Sequence, residues 1–436
     1  MLSLDIDSYL LDHLSLALDE GKVEHQSSII DALTPVLKMR YAHHIGLSTA
    51  ASNRHQRKGS FDISRMSFSA ERSDKSQESQ TLPQPPAKLL DCLLKGISSK
   101  ISRPIIDKWV NFLAECLPLY YKSIFKVLLT LAECFCKEIS SSFNELQVMF
   151  QKLSEGSPSC SPEHTTIALL SGLETCVATA HDRLQVEEVN TAAVKSPDQP
   201  QGFFGSMFAS EGAQAQPTSS NNTRLTVLLC FQDAVQLCYS IWAWGPGGRS
   251  KQPRDLDSVA SFQYTSLRMR NRARRILEHL FAAEALECLE TLIKLWRTSI
   301  ALDEPAKSRA IFSLLHTLDG SKPKVTIPAI FNAIYSRTSP AALEPSRKSS
   351  MSSELSETDL AAFLVMYAKS LDDDFLDDIW GDCITFLKDV LTNPFPHRQI
   401  LPRLLEFAVV LGGKMENTTF GDDRRTRREL GVSYSL

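Results

Sequence analysis

The stretch ILEHLFAAEALECLETLIKLW, residues 276–296, decides the fold. Its Leu277, Leu280, Phe281, Ala285, Leu289, Leu292, Ile293 and Trp296 recur at spacings of three and four, so one stripe of an α-helix is apolar while the intervening Glu and Lys positions are expected to face water. Such a stripe needs a neighbour to cover it. Similar patterns recur roughly a dozen times, with no period-two alternation longer than a few residues. The expected fold is therefore all-α, a helical-repeat α-solenoid of the armadillo/HEAT type with long disordered linkers.

Working outward, the helical segments group into blocks. Residues 1–46 read as a helical hairpin, with Gly21 in the left-handed conformation that ends its first helix. Residues 47–86 lose periodicity and fill with Ser, Gln, Arg and Lys, the composition of a disordered linker. Residues 87–185 form a helical-repeat block in which Pro104 opens a helix and Pro118 closes it. Residues 186–222 are a second linker holding an aromatic island, GFFGSMF at 202–208. A repeat block at 223–338 follows, with its long helix expected to break near Phe281. A Ser-rich linker at 339–358, a repeat block at 359–430 and an irregular tail at 431–436 complete the chain. The tail Gly431-Val-Ser-Tyr-Ser-Leu436 interrupts a charged helix, and GTGAGT, a common intron donor, encodes Val-Ser; the expectation is translated intron at the end of an incomplete gene product.

Composition narrows the functional classes. A net charge of −4 over 436 residues gives no general attraction to nucleic acid. The ten cysteines sit mostly inside apolar helical patterns, as reduced core thiols in a cytosolic protein do. Residues 1–18 already carry Asp5, Asp7 and Asp12, which does not fit a signal peptide. The longest apolar run, residues 225–244, contains Gln232, Asp233 and Gln236 and reads as a buried helix.

Catalytic, cofactor and metal signatures fail one by one. The acidic run at 372–382 lacks the Gly and Glu positions of a calcium loop, and carboxylates gathered at a helix start are explained by the macrodipole. GPGGRSK at 245–251 has the wrong Gly-to-Lys spacing for a phosphate loop. Cys134 and Cys136 lack zinc partners, and no nucleophile elbow or HExxH helix occurs. The expectation is a protein that is not an enzyme, with no cofactor, no metal and no small-molecule substrate.

Two features remain as candidate contacts. RMRNRARR at 268–275 places Arg268, Arg270, Arg272, Arg274 and Arg275 on one helix, with Arg268, Arg272 and Arg275 sharing a face with His279. That face suits an anionic membrane surface or an acidic partner; the alternative is a solvated face partly neutralised by Glu278 and Glu284. Nucleic acid is not expected there, because no aromatic residues interleave with the arginines. Phe203, Phe204 and Phe208 of the island are the second candidate. Ser60, Ser67, Ser349 and Ser350 follow basic residues in Ser-rich stretches and are candidate phosphorylation sites.

Three blocks carry a resemblance: RPIIDKWVNFLAECLP at 103–118, ASFQYTSLRMRNRARR at 260–275 and LPRLLEFAVVLGGK at 401–414. Together they resemble the fungal branch of the Dopey family over most of residues 87–431, with the present chain an internal or partial fragment. The resemblance implies a cytoplasmic scaffold, peripheral on Golgi and endosomal membranes. It also implies a large Sec7-related partner without exchange activity, and vesicle-mediated protein transport between endosomes and Golgi. The rival class is another peptide- or protein-binding solenoid, transport-receptor-like or regulatory-subunit-like.

Overall fold

In a computed structural model of the chain, the described residues are 5–56, 85–151, 162–194, 217–244, 256–344, 347–349 and 354–418. They form fourteen α-helices with short 3-10 turns between some of them, and no strand occurs among the described residues. The chain divides into two compact units, the first built from residues 1–138 and 158–179, the second from 139–157 and 180–436.

The first unit opens with α1 (Ile6–Asp19) and α2 (Val23–Gln56). Gly21 adopts φ +69° between them, Lys22 N–H donates to Ala17 O at 2.9 Å and Gly21 N–H to Leu18 O at 3.2 Å, which closes the end of α1 in the manner of a Schellman turn. Helices α3 (Ala87–Ser98) and α4 (Ile106–Cys116) follow, and the contacts run α1 to α2, α1 to α3, α2 to α4 and α3 to α4. Two helix pairs, α1 with α2 and α3 with α4, thus lie side by side, each helix of the first against one of the second, as stacked helical hairpins do. Gln26, wholly buried, joins the layers: its amide donates to Ala17 O at 3.3 Å and its carbonyl accepts from Ser102 Oγ at 2.9 Å and Trp109 Nε1 at 3.4 Å. Gly96 lets α3 approach the Trp109 ring so closely that a Cβ there would lie 2.4 Å from it. Helices α5 (Ile124–Gln151) and α6 (Pro162–Val194) carry residues of both units.

The second unit continues with α7 (Pro217–Trp242), α8 (Leu256–Ala283), α9 (Ala285–Ala301), α10 (Pro305–Thr317), α11 (Pro323–Thr338), α12 (Glu357–Ser370), α13 (Leu376–Thr392) and α14 (Leu401–Glu416). The same ladder recurs, with α7 on α9, α9 on α11, α11 on α13 and α12 on α14 in addition to sequential pairs. Proline sits in the first turn of α10, α11 and α14, and Ser356 with Asp359 forms a capping box on α12.

The stripe that decides the fold lies inward: Leu277, Leu280, Phe281, Leu289, Leu292, Ile293 and Trp296 are all buried. The intervening acidic positions depart from expectation. Glu287 and Glu290 are buried as well, because α9 packs against α7, α8, α10, α11 and α12 and retains little open face. The break in the long helix falls at Glu284 (φ −141°, ψ 74°), three residues beyond Phe281. Helix α11 begins at Pro323 and keeps Pro328 inside it. The nine described cysteines form no disulfide. The segment Asn222–Trp242 is long and apolar enough to cross a membrane by length and composition, and 67 % of its apolar window is buried in the packing.

The segments read as linkers lie partly within the described residues. α2 extends to Gln56, α6 to Val194 and α7 back to Pro217, while residues 57–84 and 195–216 lie outside. The Ser-rich stretch 339–358 is docked where it is described. Leu355 is buried, Arg337 Nε donates to Leu355 O at 2.7 Å, and Arg297 Nη1 donates to Glu354 O at 2.8 Å. This stretch covers two buried charges, Glu290 and Arg337.

Candidate functional site

The arginine run lies on α8, whose buried side is Met269, Ala273, Ile276, Leu277 and Leu280. At 100° per residue the opposite side carries Tyr264, Leu267, Arg268, Asn271, Arg275 and His279, all exposed. The five arginines therefore divide. Arg268 and Arg275 point outward, with His279 on the same face as expected. Arg272 is half-buried at one edge of that face, and Arg270 and Arg274 are half-buried on the other flank. The Arg270 guanidinium lies over the Trp242 ring of α7, 4.5 Å from its centroid, a cation–π contact that ties α8 to α7. Arg274 pairs with Glu278 at 3.8 Å.

Glu284 does not neutralise this cluster. At the break between α8 and α9 its carboxylate receives both oxygens' bonds from Arg224 Nη2, at 3.0 Å each, and lies 3.5 Å from His181 Nε2. Arg224 also binds Glu188 at 2.7 Å. Tyr264 and Leu267, 66 % and 58 % exposed, are members of the outward face that attention to arginine alone overlooks. A helical wheel drawn through residues 260–279 finds them. The face is thus an amphipathic strip of two cations, a histidine, an aromatic ring and an aliphatic side chain.

A second charged cluster is internal. The Glu290 and Arg337 side chains, 0 % and 5 % exposed, pair at 2.8 Å between α9 and α11. Ser349 Oγ donates to Glu290 Oε2 at 2.6 Å, and its N–H donates to Ser336 Oγ at 3.0 Å. Burial raises the Glu290 carboxyl above its usual range, against the lowering effect of Arg337. Ser349, one of the candidate phosphorylation sites, is therefore half-buried and bonded, because its stretch covers this pair. Gln232 of α7 donates to Glu287 in the same way. Phe203, Phe204, Phe208, Ser60, Ser67 and Ser350 lie outside the described residues.

Among the described residues no group of three or more His, Cys, Asp or Glu is arranged to hold a metal ion. Burial pushes the Cys92 and Cys134 thiols up to about 11, which keeps them protonated and poorly nucleophilic at neutral pH.

Comparison with known proteins adds three findings. The family model described as DOP1 C-terminal matches residues 363–435, a range that runs through residues 431–435 of the tail. Protein dop1 of Emericella nidulans is 58 % identical over 435 residues, which is 98 % of this chain and 23 % of that protein. Protein DOP1 of Saccharomyces cerevisiae is 27 % identical over 362 residues, 79 % of this chain and 20 % of that protein. The chain thus spans less than a quarter of the length of these curated relatives. Among solved structures, a circular tandem repeat protein with novel repeat topology and enhanced subunit contact surfaces aligns over 98 % of this chain and 93 % of its own, at 12 % identity and a TM-score of 0.21, too loosely to carry an argument about shape.

Proposed function

Because this chain belongs to the Dopey family, we propose that it is a non-enzymatic helical scaffold in vesicle-mediated protein transport between endosomes and Golgi, cytoplasmic and peripheral on those membranes. The observation that carries the reading is the outward strip of α8. Arg268 and Arg275 attract an anionic surface, and Tyr264 and Leu267 add an apolar contact beside them. In this reading the half-buried arginines are structural: Arg270 holds Trp242 and Arg274 holds Glu278. The family resemblance adds a large Sec7-related scaffold without exchange activity as the protein partner, and the stacked hairpins supply extended faces for it. No cofactor, nucleic acid or small-molecule substrate enters the proposal.

The test uses the full-length protein. Arg268→Glu, Arg275→Glu, Tyr264→Ser and Leu267→Ser are introduced together, and the tagged protein is imaged against Golgi and endosomal markers at unchanged abundance. Loss of the punctate signal is expected. An unchanged pattern, with the same proteins co-purifying, assigns recruitment elsewhere.

A second reading, a peptide-binding solenoid, is favoured by an open groove of about 420 Å³ between α1 and α2, lined by Tyr9, His13, Leu16, His25 and Ile29. Tyr9 and Leu16 are 64 % and 52 % exposed.

A further inference from the structure

Helices α13 and α14 form an antiparallel hairpin: Lys414 Nζ near the end of α14 binds Asp373 Oδ1 at 2.7 Å just before α13 begins. Its outer surface is chemically divided. On α14 the exposed residues are Pro402, Arg403, Leu405, Val409, Gly413 and Glu416, with Leu405 50 % and Val409 61 % exposed and Arg403 paired with Glu406 at 2.8 Å. Beside them Leu387 and Leu391 of α13 and Leu401 and Leu404 of α14 line a narrow apolar cleft. On α13 the outward residues are Asp377, Asp378, Gly381, Asp382, Thr385 and Asp389.

The macrodipole accounts for Asp377 and Asp378 in the first turn of α13, but Asp382 and Asp389 lie beyond its reach. Asp389 accepts from the Tyr335 hydroxyl. The nearest cation on α13, Lys388, is half-buried, and Lys414 is engaged with Asp373. Gly381 and Gly413 leave the backbone bare on both helices, with no atom within 4 Å of where a Cβ would stand. A second helix can therefore approach closely over both.

We propose that this hairpin is a docking surface for a basic amphipathic helix of a partner protein. The apolar side of that helix lies along Leu391, Leu405 and Val409, and its Lys or Arg residues stand over Asp377, Asp378 and Asp382. Charge complementarity selects this occupant over a second copy of the same face, which would set acid against acid. The surface lies on different helices from the α8 strip, so the proposal does not rest on the membrane reading.

The experiment titrates the full chain with a fluorescein-labelled designed helix, LKKLLKLLKKLLKL, and with a composition-matched isomer whose order destroys the apolar stripe. Binding of the first and at least tenfold weaker binding of the second is expected. Asp377→Asn, Asp378→Asn and Asp382→Asn together should weaken the first by roughly tenfold to a hundredfold at low salt, and Leu405→Ser with Val409→Ser by a similar factor at any salt. These are exposed positions, and circular dichroism verifies folding of each variant. Equal binding of the two peptides overturns the proposal, as does indifference to either set of substitutions. Binding that emerges only after residues 419–436 are deleted also overturns it, because the arginines of 424–428 would then be the occupant.

Discussion

Replacing Arg337 by Met leaves the Glu290 carboxylate buried beside α11 with Ser349 as its remaining donor. Breaking one side of a buried ion pair typically costs about 3–5 kcal/mol, most of it the desolvation of the abandoned charge. At roughly 2–4 °C per kcal/mol for a body of this size, the melting temperature should fall by about 6–20 °C at neutral pH. The pH dependence has a definite sign. The folded-state pKa of Glu290 is already raised above 4.5 by burial, so the folded chain holds its proton at pH values where the unfolded chain has lost it. Stability from this group is therefore present near pH 4.5 and lost as pH rises through the folded pKa. Losing Arg337 widens that window, so the deficit should be larger at pH 7 than at pH 5. Glu290→Gln combined with Arg337→Met removes both charges while keeping an acceptor for Ser349, and should recover most of the loss. Urea denaturation of the wild type, both single variants and the double variant at the two pH values measures the coupling. A double variant whose loss equals the sum of the single losses would refute the buried-pair account.

Three other outcomes follow from the packing and the titrating groups. Gly96→Ala should cost roughly 1–3 kcal/mol by driving a methyl group into the Trp109 ring, measured by thermal denaturation. Leu289→Ala and Trp296→Ala, which empty buried sites on α9, should each cost about 2–5 kcal/mol in the same assay. Burial lowers the folded pKa of His316 and His397 below 6.5, so the folded chain binds fewer protons than the unfolded one in that window. Stability should accordingly fall as pH drops below about 6.5, and His397→Gln should flatten the slope in a melting series from pH 5 to 8.

The legible part of the fold was local. Gly21 announces the end of α1 because a left-handed residue after a helix has few other uses, and the apolar spacing from Leu277 to Trp296 names the buried side of α8 and α9. Long-range partners were not legible. Nothing near Glu290 in sequence reveals that Arg337 and Ser349 meet it, so an acidic position in an amphipathic pattern reads as solvent-facing when it is as buried as the apolar residues of its turn. Glu284 reads in sequence as a neighbour of the arginine run for the same reason: its partner Arg224 lies sixty residues away. The arginine run was visible, but its division was not. Trp242 takes Arg270, and the helical phase alone leaves Arg268 and Arg275 outward.

Vesicle flotation most directly tests whether the outward strip of α8 is the contact surface. Phosphatidylcholine vesicles with and without phosphatidylserine are floated with the wild type, with Arg268→Glu and Arg275→Glu together, with Tyr264→Ser and Leu267→Ser together, and with Arg270→Gln. Two arginines worth about 1 kcal/mol each predict at least a roughly thirtyfold loss of affinity for anionic vesicles in the first variant at low salt, and high salt should bring the wild type down to the level of that variant. The second variant should lose the salt-resistant remainder, while Arg270→Gln should lower the melting temperature and leave flotation unchanged. Flotation of the Arg268 and Arg275 variant equal to that of the wild type at low salt would contradict the account.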